Sequence, residues 1–255
     1  MIAVMNPVRL VVGMLLFAVA CTKDPVPAPS MPVNAISKLE KDGDSWEVAY
    51  NADGSIQRLT RRLADSSVMA NYDFVYTNGK LQEVNAGGKW KYTYNGDQLT
   101  QIETYNNLGV LRYRSVFVYT NGKITERTNY YANTPVPLRP LNRIRYTYNA
   151  DGNVVVKQHF DYINDDWSKT EEVHILAYDD RPNTYEHLET FPYLPANLLS
   201  VNNPLREEYI GVNGQSYGSA VHEYEYNAAG KPARRRVTYA YTGFPDTHSE
   251  AKFHY

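Results

Sequence analysis

The sequence predicts an all-β protein: an antiparallel up-and-down meander of about 12–14 strands, forming a curled sheet or an open barrel. Three observations predict it. Tyrosine occurs 23 times and recurs just ahead of turn signals. The turns differ in length, yet each is followed by an aliphatic residue or proline at a matching position. Residues leading into the turns alternate, with one largely aromatic face and one polar or charged face.

The repeat is seen in six segments: Tyr50-Asn-Ala-Asp-Gly-Ser-Ile56, Tyr76-Thr-Asn-Gly-Lys-Leu81, Tyr94-Asn-Gly-Asp-Gln-Leu99, Tyr119-Thr-Asn-Gly-Lys-Ile124, Tyr148-Asn-Ala-Asp-Gly-Asn-Val154 and Tyr226-Asn-Ala-Ala-Gly-Lys-Pro232. A seventh, degenerate one begins at Tyr178 and runs to Pro182. Asn-Gly favours a two-residue hairpin loop, because both central positions need positive φ. Asn-Ala-Asp-Gly suits a three-residue loop, a type I turn closed by a left-handed glycine. Counting outward from either loop gives the same result. Tyr76 faces Leu81 across a two-residue loop, and Tyr50 faces Ile56 across a three-residue one. The same count pairs Tyr94 with Leu99, Tyr119 with Ile124 and Tyr148 with Val154. Cross-strand pairs of this kind are the unit of sheet stabilisation.

Upstream of the turns the period is two. Trp46, Val48 and Tyr50 share a face, as do Trp90, Tyr92 and Tyr94; Ile144, Tyr146 and Tyr148; and His222, Tyr224 and Tyr226. Glu47, Lys91, Arg145, Glu223 and Glu225 take the other. Such alternation marks half-buried antiparallel strands. The intervening turns fall at Asn85-Ala86-Gly87-Gly88, Asn106-Asn107-Leu108-Gly109 and Asn164-Asp165-Asp166. The stretch from Arg181 to Leu205 breaks the rhythm. It holds Pro182, Pro192, Pro195 and Pro204 and reads as a long excursion between strands.

The chain divides into an export signal over 1–20, a Pro-rich linker over 21–34 and the repeat domain over 35–255. Cys21, the one cysteine, closes the apolar run LVVGMLLFAVA and follows the small residues Ala18, Val19 and Ala20. That run is about 11 residues, against the roughly 20 needed to span a bilayer as a helix. The arrangement resembles a bacterial lipobox, which implies cleavage before Cys21 and lipid, including palmitate, upon it. Thr22-Lys23-Asp24 resembles the export tag of Bacteroidota surface lipoproteins. The expected address is therefore the cell envelope, as an outer-membrane lipoprotein open to surface display. The linker should be extended and semi-rigid.

The Tyr-x-Tyr-Asn-x-x-Gly-x-aliphatic unit resembles the YD repeat of Rhs-type proteins. It resembles more closely the repeats of a family of Bacteroidota lipoproteins of unknown function, described as having a porin-like β-fold. Leu198 to Pro204 (LLSVNNP) belongs to the same likeness. The resemblance implies a curled all-β sheet and no activity. Rhs shells need longer arrays, so encapsulation of a toxin is not expected.

Charge is nearly balanced, with 26 basic and 28 acidic residues, which argues against nucleic acid as a partner. No metalloprotease, P-loop, nucleophile-elbow or zinc spacing occurs, so no cofactor or metal is expected and the chain is not read as an enzyme. Glu186-His187-Leu188-Glu189 and the cluster Asp161, Asn164, Asp165 and Asp166 read as structure and turn chemistry, as does Asp179-Asp180. His222 lies on the aromatic face and reads as a core histidine. In Arg234-Arg235-Arg236, alternation sends the middle arginine to the opposite face from its neighbours. Charges on the strands leave no continuous lipid-facing band, so a spanning barrel is not expected, although Phe253-His254-Tyr255 is an aromatic ending such as outer-membrane barrels carry.

The expected function is a lipid-anchored binding or adhesion module for glycan or protein, with Trp46, Trp90, Tyr92 and Tyr146 as candidate ligand-contacting rings, since Trp and Tyr suit half-wet surfaces. A structural envelope role and a carboxylate-dependent hydrolase are the alternatives. Replacing Cys21→Ser should abolish palmitate labelling and release the protein from membranes. Continued labelling and membrane retention would refute the anchor, since lipid chains on Cys21 are what would hold the protein there.

Overall fold

A computed structural model describes residues 35–132, 138–190, 192–195 and 199–255. The export signal over 1–20 and the whole linker over 21–34, Cys21 included, lie outside the described residues. The strands are β1 (Lys38–Lys41), β2 (Asp44–Tyr50), β3 (Ile56–Arg62), β4 (Val68–Thr77), β5 (Lys80–Asn85), β6 (Lys89–Asn95), β7 (Gln98–Tyr105) and β8 (Leu111–Thr120). They continue with β9 (Lys123–Tyr131), β10 (Arg139–Tyr148), β11 (Val154–Ile163), β12 (Asp166–Pro182), β13 (Asn202–Gly211), β14 (Ser216–Tyr226), β15 (Pro232–Tyr241) and β16 (Thr247–His254). A single helical turn, α1 (Glu186–Glu189), falls between β12 and β13. Each strand pairs antiparallel with the next, and β1 pairs with β16, from Lys38↔His254 to Lys41↔Ala251. The sheet is a closed barrel of 16 strands. The count exceeds the expected 12–14, and closure is complete.

The register follows the turn chemistry. Tyr50 faces Ile56, Tyr76 faces Leu81, Tyr94 faces Leu99, Tyr119 faces Ile124, Tyr148 faces Val154 and Tyr226 faces Pro232. Asn78 and Asn121 take positive φ, as a two-residue loop requires. Beyond each pair the returning strand carries one extra residue, Gln57, Gln82, Thr100, Thr125, Val155 or Ala233, a β-bulge that leaves one residue unpaired. After the bulge, the next inward residue comes three positions on rather than two. Ile56 and Leu59 therefore share the inner face, as do Leu81 with Val84 and Leu99 with Ile102, and all six are buried or half-buried.

In an up-and-down barrel alternate turns lie at opposite ends. The six repeat turns consequently share one rim. The chain enters β1 and leaves β16 there too. Five repeat tyrosines tie that rim together. Tyr50 Oη donates to the Ile36 carbonyl and Tyr148 Oη to the Ile124 carbonyl, each at 2.7 Å. Tyr178 Oη donates to the Val154 carbonyl. The hydroxyls of Tyr76 and Tyr119 reach the main chain of Ile56 and Leu99. In four of the five cases the tyrosine meets the aliphatic residue that partners the preceding repeat tyrosine. Tyr94 and Tyr226 make no such bond: the buried Tyr94 hydroxyl has no hydrogen-bond partner among the described residues, and the Tyr226 hydroxyl donates to Asp179.

Two expectations are corrected. Asp179-Asp180 is not a turn, because β12 continues to Pro182. The excursion is also narrower than Arg181–Leu205, since Pro182 ends β12 and Pro204 lies within β13 opposite Tyr178. Proline is tolerated there because the β12–β13 register is interrupted around both residues.

Tyr148→Phe keeps the ring and removes one hydrogen bond to a main-chain carbonyl. The expected loss is about 1 kcal/mol, or roughly 2–4 °C in a protein of this size. An unchanged unfolding midpoint would show that the hydroxyl does not tie the repeats.

Candidate functional site

The inner faces of Trp46, Trp90, Tyr92, Tyr146 and Tyr224 do not enclose an open channel. A barrel of 16 strands ordinarily leaves an aqueous lumen. Here the described parts of the segment between β12 and β13, residues 183–190, 192–195 and 199–201, turn back from the repeat rim and pack into it. Their contacts reach opposite walls. Tyr92 Oη donates to the Tyr193 carbonyl at 2.7 Å, and the Tyr193 ring packs against Tyr72, Phe74 and Trp90 with centroids 5.0–5.9 Å apart. On the other side, Tyr185 packs against Phe253 with ring centroids 4.9 Å apart and shares a hydrogen bond with Tyr224.

Polar groups fix this plug at its core and at its exit. Arg235 grips Glu189 with two hydrogen bonds of 2.7 and 2.8 Å, and Lys41 adds a third contact to that carboxylate at 3.2 Å. Burial works to raise the Glu189 carboxyl, but the charge and hydrogen bonds of Arg235, with Lys41, outweigh it and hold it below the ordinary value. Where the plug rejoins the sheet, Asn153 Oδ1 accepts from the amides of Val201 and Asn202. Asp179 accepts from the Asn203 amide and side chain and from the Tyr226 hydroxyl. Asn203, within the LLSVNNP stretch, is wholly buried. Asp179 is thus a fastening for the returning chain.

Among the described residues, two cavities border α1. The first, of about 420 Å³, faces the rim opposite the repeat turns. Trp46, Tyr72 and Tyr193 supply its rings, and Arg61, Asp44 and Glu189 its charges. Arg61 lies over Trp46 at 5.2 Å and is held by Asp44 at 2.7 Å. The second, of about 200 Å³, lies against β11–β15 and is lined by Lys157, Glu186, Glu207, His222 and Arg235 among others.

Of the four rings expected at a ligand surface, only Trp46 borders the larger cavity. Trp90, Tyr92 and Tyr146 are 5%, 4% and 8% exposed and do not form an open groove, because the plug and the inner wall cover them. Arg235 was legible as facing away from its neighbours, but its burial against Glu189 was not. Asn164 and Asp165 form the β11–β12 turn with positive φ. Among the described residues no group of three or more His, Cys, Asp or Glu side chains is placed to hold a metal ion.

The residue three beyond each repeat aliphatic is Leu59, Val84 or Ile102 in the first three repeats and Arg127, Lys157 or Arg235 in the last three. The bulge turns all six inward. One side of the lumen is therefore apolar and the other basic, a division visible in the sequence once the bulge is known.

No protein-family model matches the chain, and no curated protein matches it by sequence. The barrel is similar to two solved structures. One is a porin-like protein from Bacteroides uniformis, with TM-score 0.60 and 11% identity over 86% of this chain and 96% of that one. The other is a porin-like protein from Bacteroides vulgatus, with TM-score 0.51 and 15% identity over 87% and 98%. Identities this low carry the fold alone. A Photorhabdus luminescens Tc holotoxin pore aligns with TM-score 0.35, too low to bear on the comparison.

Glu189→Ala strands the Arg235 charge inside the barrel and should cost about 3–5 kcal/mol, whereas Arg235→Met with Glu189→Met should recover most of it. Protonation acts in the same direction. Because the folded value of Glu189 is lowered, its stabilisation is complete above the ordinary carboxylate value and is lost as pH falls through the folded one. Urea unfolding of the three proteins checks both points, and a single variant as stable as wild type would show that this pair does not hold the plug.

Proposed function

We propose that the protein is a lipid-anchored, non-enzymatic binding module of the cell envelope whose ligand, a glycan, enters the cavity bordered by Trp46. The observation that carries this reading is the composition of that cavity. Flat rings from Trp46, Tyr72 and Tyr193 stand beside Arg61, Asp44 and Glu189, whose ion pairs hold them in place. Apolar walls with a few placed polar groups are the usual make-up of a small-ligand site. The faces of sugar rings suit aromatic walls, and their hydroxyls suit fixed charges.

The outer wall supports a barrel that does not span the bilayer. Ion pairs cross it at Arg58–Asp73, Glu103–Arg114, Glu126–Arg145 and Arg234–Glu225. A lipid-facing surface would carry an apolar band about 25 Å tall in those positions. A tether from Cys21 would join the barrel near Ile36, on the repeat rim. The Trp46 cavity faces the other rim, so an anchored barrel can present it away from the membrane.

A structural envelope role is the second reading, favoured by the burial of Trp90, Tyr92 and Tyr146. A hydrolase is less favoured. The acids beside Trp46 are both engaged in ion pairs, whereas a general acid must keep a proton near working pH.

Titration of cell-surface oligosaccharides into the protein tests the proposal. Trp46→Ala should weaken binding by about tenfold or more, the loss of one well-packed aromatic contact, with the melting temperature nearly unchanged. No binding by any oligosaccharide of a broad panel, or equal binding by the variant, would favour the structural role.

A further inference from the structure

The smaller cavity holds charged groups that the fold itself does not use. Arg127, Lys157 and Arg235 occupy the same place in successive repeats. Arg235 is matched by Glu189, and Arg127 bonds Asn129. Lys157 has no hydrogen bond or ion pair among the described residues, although it points into a cavity inside the barrel. His222 faces the same space. Its side chain is 9% exposed, and neither ring nitrogen has a hydrogen-bond partner. The nearest carboxylate oxygen, on Glu207, is 3.9 Å away, beyond hydrogen-bonding reach. Among the described residues Glu207 accepts from the Tyr209 hydroxyl, at 3.2 Å, and Glu186 from the Ser200 amide, at 3.3 Å.

Buried polar groups left without partners cost stability, so a native structure that keeps several around one cavity calls for an explanation. The charges decide what fits. A simple anion would meet Lys157 but also Glu186 and Glu207. A simple cation would meet those carboxylates but also Lys157. An apolar molecule would satisfy none of them. A molecule carrying both charges satisfies each. The volume, about 200 Å³, compares with the ~150 Å³ cavity that holds one benzene, which leaves room for one amino acid.

We infer that the cavity between α1 and strands β11 to β15 is a second binding site, for a free amino acid or a zwitterion of that size. Its carboxylate lies toward Lys157 and the His222 ring, and its ammonium toward Glu207 and Glu186. Burial pulls the His222 ring down to about 4 despite Glu207 nearby, so the ring is neutral at pH 7 and offers one donor and one acceptor. Burial also raises the Glu186 carboxyl above its ordinary value, which makes an ammonium beside it a stabilising partner. The two cavities share Glu189 in their walls, but this site does not depend on a glycan binding beside Trp46.

Calorimetric titration of the full-length chain tests this with alanine, serine and glutamine, each beside its N-acetyl and methyl-ester forms. At least one free amino acid should bind, and blocking either charge should weaken it by about tenfold or more, the worth of one charge-assisted hydrogen bond. Lys157→Met and Glu207→Gln should each cause a comparable loss. Absence of binding at millimolar concentration by all three amino acids would overturn the inference. So would equal binding of the blocked forms, which needs no variant and stands even if Lys157→Met fails to fold. A folded Lys157→Met of unaltered affinity would overturn it as well.

Discussion

Everything in this molecule depends on the pairing of a repeat tyrosine with the aliphatic residue across its turn. The pair fixes the register of each hairpin, and the bulge behind it adds twist to the returning strand. Twist accumulated over successive hairpins is what lets a long meander curl until β1 meets β16. The tyrosine hydroxyl extends the effect sideways. By reaching the main chain of the preceding hairpin, Tyr148 and Tyr178 bind neighbouring repeats as well as neighbouring strands. A phenylalanine in their place would pack in the same register but leave those carbonyls without this donor. That is a reason for tyrosine at a half-buried position, where the ring needs an apolar neighbour and the hydroxyl needs an acceptor.

Closure creates a second demand. A barrel of this strand number has more interior than its wall side chains fill, and the Asn183–Val201 plug meets the need from within the chain. It carries Tyr185, Leu188 and Tyr193 to the walls. Of its two carboxylates, Glu189 meets the one arginine of the last repeat that the bulge turns inward. Breaking either partner exposes the other to a medium that solvates it poorly, which is why the pair acts as a position-setting contact more than as a source of net stability.

The parts of the fold that were legible in the sequence are those governed by local chemistry. Asn78-Gly79 and Gly54 report positive φ, and the cross-strand partners follow by counting. Alternation placed Trp90 and Tyr92 on one face with Tyr94. The plug was recognisable only as an interruption, because its contacts are distant along the chain: Tyr92 and Tyr193 are 101 residues apart. Asp179 was misread for a related reason. In isolation Asp-Asp after tyrosine is turn chemistry, and only the returning Asn203 shows what the carboxylate holds. The bulge hid the rest. A strict period of two gives Gln57-Arg58-Leu59-Thr60-Arg61-Arg62 no clean face, whereas one unpaired residue sends Leu59 and Arg61 inward and Arg58 and Thr60 outward. The candidate site was legible only in Trp46.

The two faces of the wall then separate the likeness to porin-like barrels from the function of a pore. A conducting barrel presents lipid with an apolar exterior and ions with a wet interior. Here charged pairs such as Arg58–Asp73 and Glu126–Arg145 cross the exterior, while rings and aliphatics occupy much of the interior. Burying such an exterior in hydrocarbon would strand many ionised side chains at once, each at a cost of order 2–4 kcal/mol near the midplane. The repeats assign the chemistry of the interior by position. The aliphatic third residues of the early repeats pack the side on which Trp46 and Tyr72 stand, and the basic third residues of the late repeats supply Lys157 and Arg235 to the other. A single bulge, repeated, thus gives the lumen one apolar and one charged side.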